Sequence, residues 1–166
     1  MSKIYLGADL GLHGALIALD QNVITGTYEM PVQGKEVDFN SLHKILKMYQ
    51  NRDCHVIFER LGVIFRSSKK TAFTMGTQYG AMQALCISLG MSYSMIPPKT
   101  WQKEMFEGIK EITRVGKNRD TTDMEIKKVK QIVQEEKLTG GTRATVPHAG
   151  MVYSILLAKY GQIKNL

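Results

Sequence analysis

Two short apolar runs separated by a glycine-rich turn open the chain, and they constrain the fold more than any other stretch. The runs cover residues 4–8 and 15–19, and Gly11 and Gly14 lie between them. Apolar segments this short, bounded by glycines, are typical of β-strands. Because glycine adopts the backbone conformations that a tight bend requires, the two runs are predicted to form an antiparallel pair.

Both this stretch and a later one end in an acid. Asp9 follows the first run, and Glu59 follows a near-continuous apolar run at 54–58 that is typical of a strand buried on both faces. Asp9 either caps the turn, a common role of aspartate, or it has a cationic partner, because burying a lone carboxylate is costly. Two carboxylates on one sheet suit Mg²⁺, which takes oxygen ligands. A pair of such ions would stabilise the attacking and leaving oxygens of phosphodiester hydrolysis.

The rest of the chain alternates between strand and helix patterns. This alternation predicts an α/β fold with one mixed sheet flanked by helices. The length of 166 residues suits a single domain over 1–166. The further predicted elements are a strand at 23–30, a loop at 33–37, a helix at 39–49 capped by Asp38, a helix at 72–89, a strand at 91–96, and helices at 99–106, 120–137 and 147–161.

The predicted helix at 72–89 is apolar on almost every side. A helix of that kind must be buried on every side. In a chain this small, we expect it to lie between the sheet and a partner subunit. Phe73, Met82 and Leu85 are therefore predicted at the interface of a homodimer.

The charge balance indicates a polyanionic partner. The net charge is +7 and the pI is near 9.4, although many proteins carry such charge only on a solvated surface. Arg66, Lys69 and Lys70 lie close to Phe65. This group is either a charged surface loop or a DNA-backbone contact with one aromatic stacking surface.

Other features bear on the compartment. No apolar run is long enough to cross a membrane, and no secretory signal is evident at the N-terminus. Cys54 and Cys86 lie far apart in apolar runs, which is typical of buried free thiols in a reducing compartment. We therefore expect a cytoplasmic protein with no membrane contact and no small-molecule cofactor.

The order and spacing of several short motifs resemble the RuvC family of Holliday-junction resolvases, especially its phage or bacterial members. The resemblance implies an RNase H-like fold with a mixed five-stranded sheet. It also implies a homodimer that binds a four-way DNA junction and cuts two strands symmetrically with Mg²⁺, for which Mn²⁺ can substitute. Asp9 and Glu59 would be the metal ligands, and the protein would work at the nucleoid in a bacterial or infected-host cytoplasm. The matching motifs are Gly7-Ala8-Asp9-Leu10-Gly11 with Gly14-Ala15, Val56-Ile57-Phe58-Glu59, Tyr79-Gly80, Pro97 with Trp101 and Lys103, Arg119-Asp120-Thr121, Pro147-His148 with Gly150-Met151, and Leu157-Ala158 with Tyr160-Gly161.

The chain departs from the family pattern in its last helix. Where the resemblance implies two further acids, the sequence has Ala149 and Tyr153, so the chain as written is expected to cut poorly. Ala149 is either native or what inactivation of an aspartate leaves behind. His148, beside this gap, is either a solvent-exposed residue or a metal ligand or proton shuttle. Lys99 and Lys103 stand where the family keeps a basic residue near the scissile phosphate, with Lys103 as a candidate catalytic residue; their alternative is a solvated helix face.

Two other functions compete with a junction resolvase. A non-catalytic protein that binds branched DNA on a decayed nuclease scaffold would account for the missing acids. The actin-like and sugar-kinase superfamily also has an Asp-x-Gly turn between two strands. Those proteins need two such domains around a nucleotide, and 166 residues provide one.

Overall fold

The computed structural model describes residues 2–60, 68–107, 121–133 and 148–166. The predicted strands and helices are confirmed within these ranges, with small shifts in their ends. Phe65, Arg66, Arg119, Asp120 and Pro147 lie outside the described residues. The strands are β1 (Ile4–Asp9), β2 (Ala15–Asp20), β3 (Val23–Glu29), β4 (Val32–Gln33), β5 (Glu36–Val37), β6 (Cys54–Glu59) and β7 (Ser92–Ile96). The helices are α1 (Phe39–Lys47), α2 (Lys69–Ser88), α3 (Pro98–Met105), α4 (Thr121–Ile132) and α5 (Ala149–Lys164).

The described residues form one mixed five-stranded sheet with the order β3-β2-β1-β6-β7. β1 pairs with β2, and β2 with β3, in antiparallel fashion, which confirms the predicted opening hairpin. β6 is parallel to both β1 and β7. Parallel neighbours end at the same edge of a sheet, so β1 and β6 deliver their last residues to one place.

Helices cover both faces of the sheet. Because successive strand side chains point to opposite faces, Leu6 and Ala8 of β1 pack with α1 and α2, whereas Tyr5 packs with α3, α4 and α5. Each face has its own apolar cluster. The mixed α/β architecture predicted from the alternating patterns is therefore confirmed.

Helix α5 lies directly on the backbone of the opening hairpin. A Cβ atom at Gly7 would come within 1.9 Å of the Ser154 carbonyl oxygen, and one at Gly150 within 2.7 Å of the Gly14 backbone. Only glycine at these positions permits so close an approach. The glycines of the opening stretch therefore admit a helix as well as shape a turn.

Helix α2 buries only part of its surface in the single chain. Gln78, Met82 and Cys86 are its buried residues, while Phe73 is 77% exposed and Ile87 is 67% exposed. The helix thus packs one face on the sheet and leaves another in solvent. In the single chain the helix is therefore not buried on every side, and the predicted burial of its remaining apolar residues against a partner subunit stays a prediction.

Two smaller differences concern local structure. The predicted loop at 33–37 includes a short antiparallel pair, β4 and β5, whose bend uses Gly34 at a φ of 64°. The last helix begins at Ala149 and ends at Lys164 rather than covering 147–161. No helix in the described part of the chain has the length and apolar character needed to span a membrane.

Candidate active site

Asp9 and Glu59 lie side by side at one edge of the sheet. Ala8 of β1 is the register partner of Phe58 of β6, and each acid is the next residue of its strand. Strand alternation turns both acids toward the face that α5 covers, and both line one cleft of about 210 Å³. Sequence periodicity therefore placed the two carboxylates correctly at a shared edge.

The surroundings of the two carboxyl groups disfavour negative charge. Burial raises the pKa of Asp9 to about 6, and the nearby Glu59 adds to this rise while His148 opposes it. Burial also raises the pKa of Glu59, against a hydrogen bond from Trp101 that lowers it. Two half-buried acids that repel each other form a site that favours a cation.

Trp101 fixes the orientation of Glu59. Its indole Nε1 donates a 2.7 Å hydrogen bond to Glu59 Oε1, and its ring is fully buried. The ring also meets Tyr153 edge to face, with centroids 5.9 Å apart at an interplanar angle of 85°. A buried indole needs an acceptor for its N–H, which is the signal that assigns this residue to the site.

Ser154 ties β1 to α5 beneath the cleft. Its buried hydroxyl lies 2.7 Å from both the Ala15 and Gly150 carbonyl oxygens, which share its single proton, and it accepts a hydrogen bond from the Asp9 backbone N–H at 3.2 Å. The backbone that carries the first acid is thereby held to the helix. No sequence pattern indicates this role, because a serine inside an apolar helix is commonly bonded only to its own helix.

Tyr79 approaches the acids from the opposite face of the sheet. Its ring contacts Phe58 edge to face at 5.9 Å. Burial raises its pKa, and the negative charges of Glu59 and Asp9 raise it further. Tyr79 was recognised only as part of a motif; the structure places it beside the sheet edge where the two acids lie.

Comparison with known proteins gives a match in structure and none in sequence. No family model and no curated protein matches the chain. The structure of T. thermophilus RuvC in complex with a Holliday junction substrate matches with a TM-score of 0.67 at 13% identity, covering 98% of this chain and 94% of that one. The chain has a RuvC-like fold. A second Thermus thermophilus RuvC structure matches with a TM-score of 0.62, again at 13% identity, over 97% of this chain and 96% of that one.

Within this RuvC-like fold, the residues at the expected acid positions lie on the first turns of α5. Ala149 is the first residue of the helix and is exposed. Tyr153 lines the cleft with both acids, together with Pro98, Gln102 and Leu157. The cleft therefore has a phenol at one of the expected acid positions, while the methyl group of Ala149 at the other provides no oxygen.

His148 caps α5. Its Nδ1 accepts a hydrogen bond from the Met151 backbone N–H at 3.3 Å. In the neutral ring the proton is then on Nε2, and that nitrogen offers a donor rather than a lone pair. His148 lies near enough to Asp9 to lower its pKa, but metal ligation through either nitrogen would require this cap to rearrange.

Lys99, Lys103, Lys69 and Lys70 are not among the residues described along the cleft. Lys99 and Lys103 lie on a neighbouring face of α3 and line a separate groove, whereas Gln102 faces the acids. Lys69 and Lys70 are exposed at the start of α2. Arg66 and Phe65, predicted to accompany them, fall outside the described residues.

The predicted interface residues have three different environments. Phe73 is exposed on α2, and Leu85 is partly buried against the core. Met82 is fully buried inside the chain's own core, so it is not available to a partner surface. The homodimer itself stays a prediction.

The carboxylate pair fits one Mg²⁺ ion. Mg²⁺ in proteins commonly uses one or two carboxylates and completes its shell with water and substrate phosphates, and Asp9 and Glu59 supply such a pair. Among the described residues, no group of three or more histidine, cysteine, aspartate or glutamate side chains could hold a metal ion. Within that part of the chain, a second ion would lack an acid of its own.

Proposed function

We propose that the protein is a Mg²⁺-dependent endonuclease acting on branched DNA. The observation that carries the proposal is the pair Asp9 and Glu59, side by side at the ends of two parallel strands of a RuvC-like fold. A similar structure, that of T. thermophilus RuvC, contains a Holliday junction substrate. A four-way junction is therefore the first DNA to test, and the nucleoid of a bacterial or infected-host cytoplasm is the proposed location.

Asp9 and Glu59 would hold the ion. When bound, Mg²⁺ activates water as a nucleophile and stabilises the charge that develops on a phosphodiester; Mn²⁺ would serve the same purpose. Trp101 keeps one Glu59 oxygen engaged and leaves the other for the cleft. Ser154 holds the Asp9 backbone, so the two carboxylates are positioned before a ligand arrives.

The protonation of Asp9 sets a pH requirement. With a pKa of about 6, this group is protonated in much of the metal-free protein at pH 5 and ionised at pH 8. A cation must displace that proton at low pH. Metal affinity, and the cleavage that depends on it, should therefore rise with pH up to about 6–7 and then level off.

A homodimer is part of the proposal. A two-fold dimer would present two clefts related like the two strands cut in a four-way junction. Phe73, which is 77% exposed on α2, is the apolar side chain that such an interface would cover. Light scattering at micromolar concentration should give twice the chain mass.

The test compares the chain as written with Asp9→Asn and Ala149→Asp on a four-way junction with Mg²⁺, at equal DNA occupancy. Ala149→Asp should raise nicking on the order of 10²–10³-fold if position 149 faces the ion, since a preorganised charged group commonly contributes that much. Asp9→Asn should abolish cutting in both backgrounds. The reasoning fails at position 149 if Ala149→Asp cuts no faster than the chain as written.

A non-catalytic junction-binding protein is the second candidate. It is favoured by Ala149, which is exposed and offers no oxygen, and by Tyr153 at the other expected acid position. Junction binding by the chain as written and by Ala149→Asp, without cutting by either, would establish this alternative. The absence of any binding to branched DNA would contradict both candidates.

A further inference from the structure

A second groove runs beside the acid-lined cleft. Its volume is about 600 Å³, and its charged walls come from α3 and from the last turn of α5. Lys99, Lys103 and Lys164 contribute positive charge, while Glu104 and Glu107 contribute negative charge. The proposed function gives no role to Lys164 or to either glutamate.

Helix α3 is the wall that the cleft and the groove share. Pro98 and Gln102, four residues apart, line the cleft. Lys99 and Lys103, each one position later, line the groove. Residues four apart lie on one helix stripe and a shift of one residue turns about 100°, so α3 presents neutral groups to the acids and ammonium groups to the groove.

Lys164 is held in the groove by an acid. Its Nζ forms a 2.8 Å ion pair with Glu104 Oε2, and it lies 6.0 Å from the centre of the Tyr160 ring. The side chains of Lys164 and Glu104 are partly exposed, at 39% and 34% respectively. Exposed ion pairs of this kind are weak, so a polyanion can replace the carboxylate at little cost.

We propose that this groove binds the phosphate backbone of a DNA arm that extends from the cleft across α3, with Lys164 moving from Glu104 to a phosphate. The inference rests on the proposed DNA-binding function. The three ammonium groups of the groove outnumber its two carboxylates and match a run of phosphates, whereas the residues described along the cleft include two acids and no basic side chain. Glu104 competes with phosphate for the Lys164 ammonium group. Because of this competition, tight binding requires DNA that contacts both the cleft and the groove.

The experiment measures junction binding without divalent metal, as a function of salt, for Lys164→Gln and Glu104→Gln. Loss of one phosphate contact should make the slope of log K against log salt shallower by about 0.9. Between about 50 and 200 mM salt, the unmodified protein should then lose about 3.5-fold more affinity than Lys164→Gln. Glu104→Gln should bind more tightly than the unmodified protein, because it frees Lys164 and removes a repelling charge.

Lys159→Gln is the matched control. Lys159 is on the same helix, but its Nζ bonds to Asn22 and Gln162, and its loss changes the net charge equally. The groove assignment is overturned if the salt slope of Lys164→Gln equals that of the unmodified protein, or if Lys159→Gln reduces the slope as much as Lys164→Gln does. It is also overturned if Glu104→Gln binds the junction no more tightly than the unmodified protein. In each case, binding by the unmodified protein would leave the proposed function standing. Its failure to bind any branched DNA would instead refute the proposed function itself.

Discussion

Replacing Asp9 with asparagine should stabilise the metal-free protein at neutral pH and remove the proposed metal binding. The Asp9 carboxyl has a pKa of about 6 in the folded chain against an ordinary 3.8, chiefly because of burial. Above both values the folded state carries a charge that its surroundings disfavour. Asparagine has nearly the shape of the protonated acid and carries no charge, so it avoids this cost.

The magnitude follows from the two pKa values. Each tenfold difference in proton affinity is worth about 1.4 kcal/mol, so the charge lowers the free energy of unfolding by up to about 3 kcal/mol at pH 7.5. Because the folded-state pKa is the higher one, this cost is present in full above about pH 6. It falls as the pH drops through that value and is about 1 kcal/mol at pH 4.5.

Urea unfolding in the presence of a chelator measures the effect, with fluorescence of the single, fully buried tryptophan as the probe. The gain from Asp9→Asn should be about 2 kcal/mol larger at pH 7.5 than at pH 4.5. Asp20→Asn, at the end of β2 and outside the cleft, controls for the loss of a strand-end carboxylate. Added Mg²⁺ should stabilise the unmodified protein and leave the asparagine variant unchanged. Equal gains at the two pH values would refute the reasoning.

Two further predictions concern the support of the site. Trp101→Phe removes the hydrogen bond that lowers the pKa of Glu59. The pH dependence of Mn²⁺ or Mg²⁺ binding, measured by calorimetry, should therefore move to higher pH. An unchanged pH profile would show that the indole contributes packing alone. Gly7→Ala should destabilise the fold by about 1–3 kcal/mol or more, because its Cβ would meet the Ser154 carbonyl oxygen. Gly80→Ala, with nothing within 4 Å of its Cβ, should instead raise stability by about 0.4–1 kcal/mol, and chemical denaturation distinguishes the two.

The sequence was sufficient for features that depend on local periodicity. The apolar runs ending in Asp9 and Glu59 have the length and pattern of strands, and parallel pairing then brings their ends together. Features that depend on how helices sit on the sheet could not be predicted in this way. The rotation of α3 about its own axis decides which of its side chains face the acids. In the structure Gln102 faces them, and Lys103 does not.

The same limit applies to α2 and α5. The apolar residues of α2 surround the helix, so composition alone could not show that Phe73 is exposed and Gln78 buried. The link between Ser154 and Asp9 joins residues 145 positions apart. No short-range pattern reports such a contact, because it arises only once α5 has docked on the hairpin.

In α5, the residues that the fold requires are different from the residue on which the proposed cutting depends. Gly150 and Ser154 are buried against the hairpin, so changes there disturb folding. Ala149, one residue before that contact, is exposed, and its side chain can change without a packing penalty. Under the proposed function, a lineage carrying this scaffold would lose or regain DNA cutting through this one codon while the fold stays intact. Active and inactive descendants of one ancestor would then be indistinguishable by their folds.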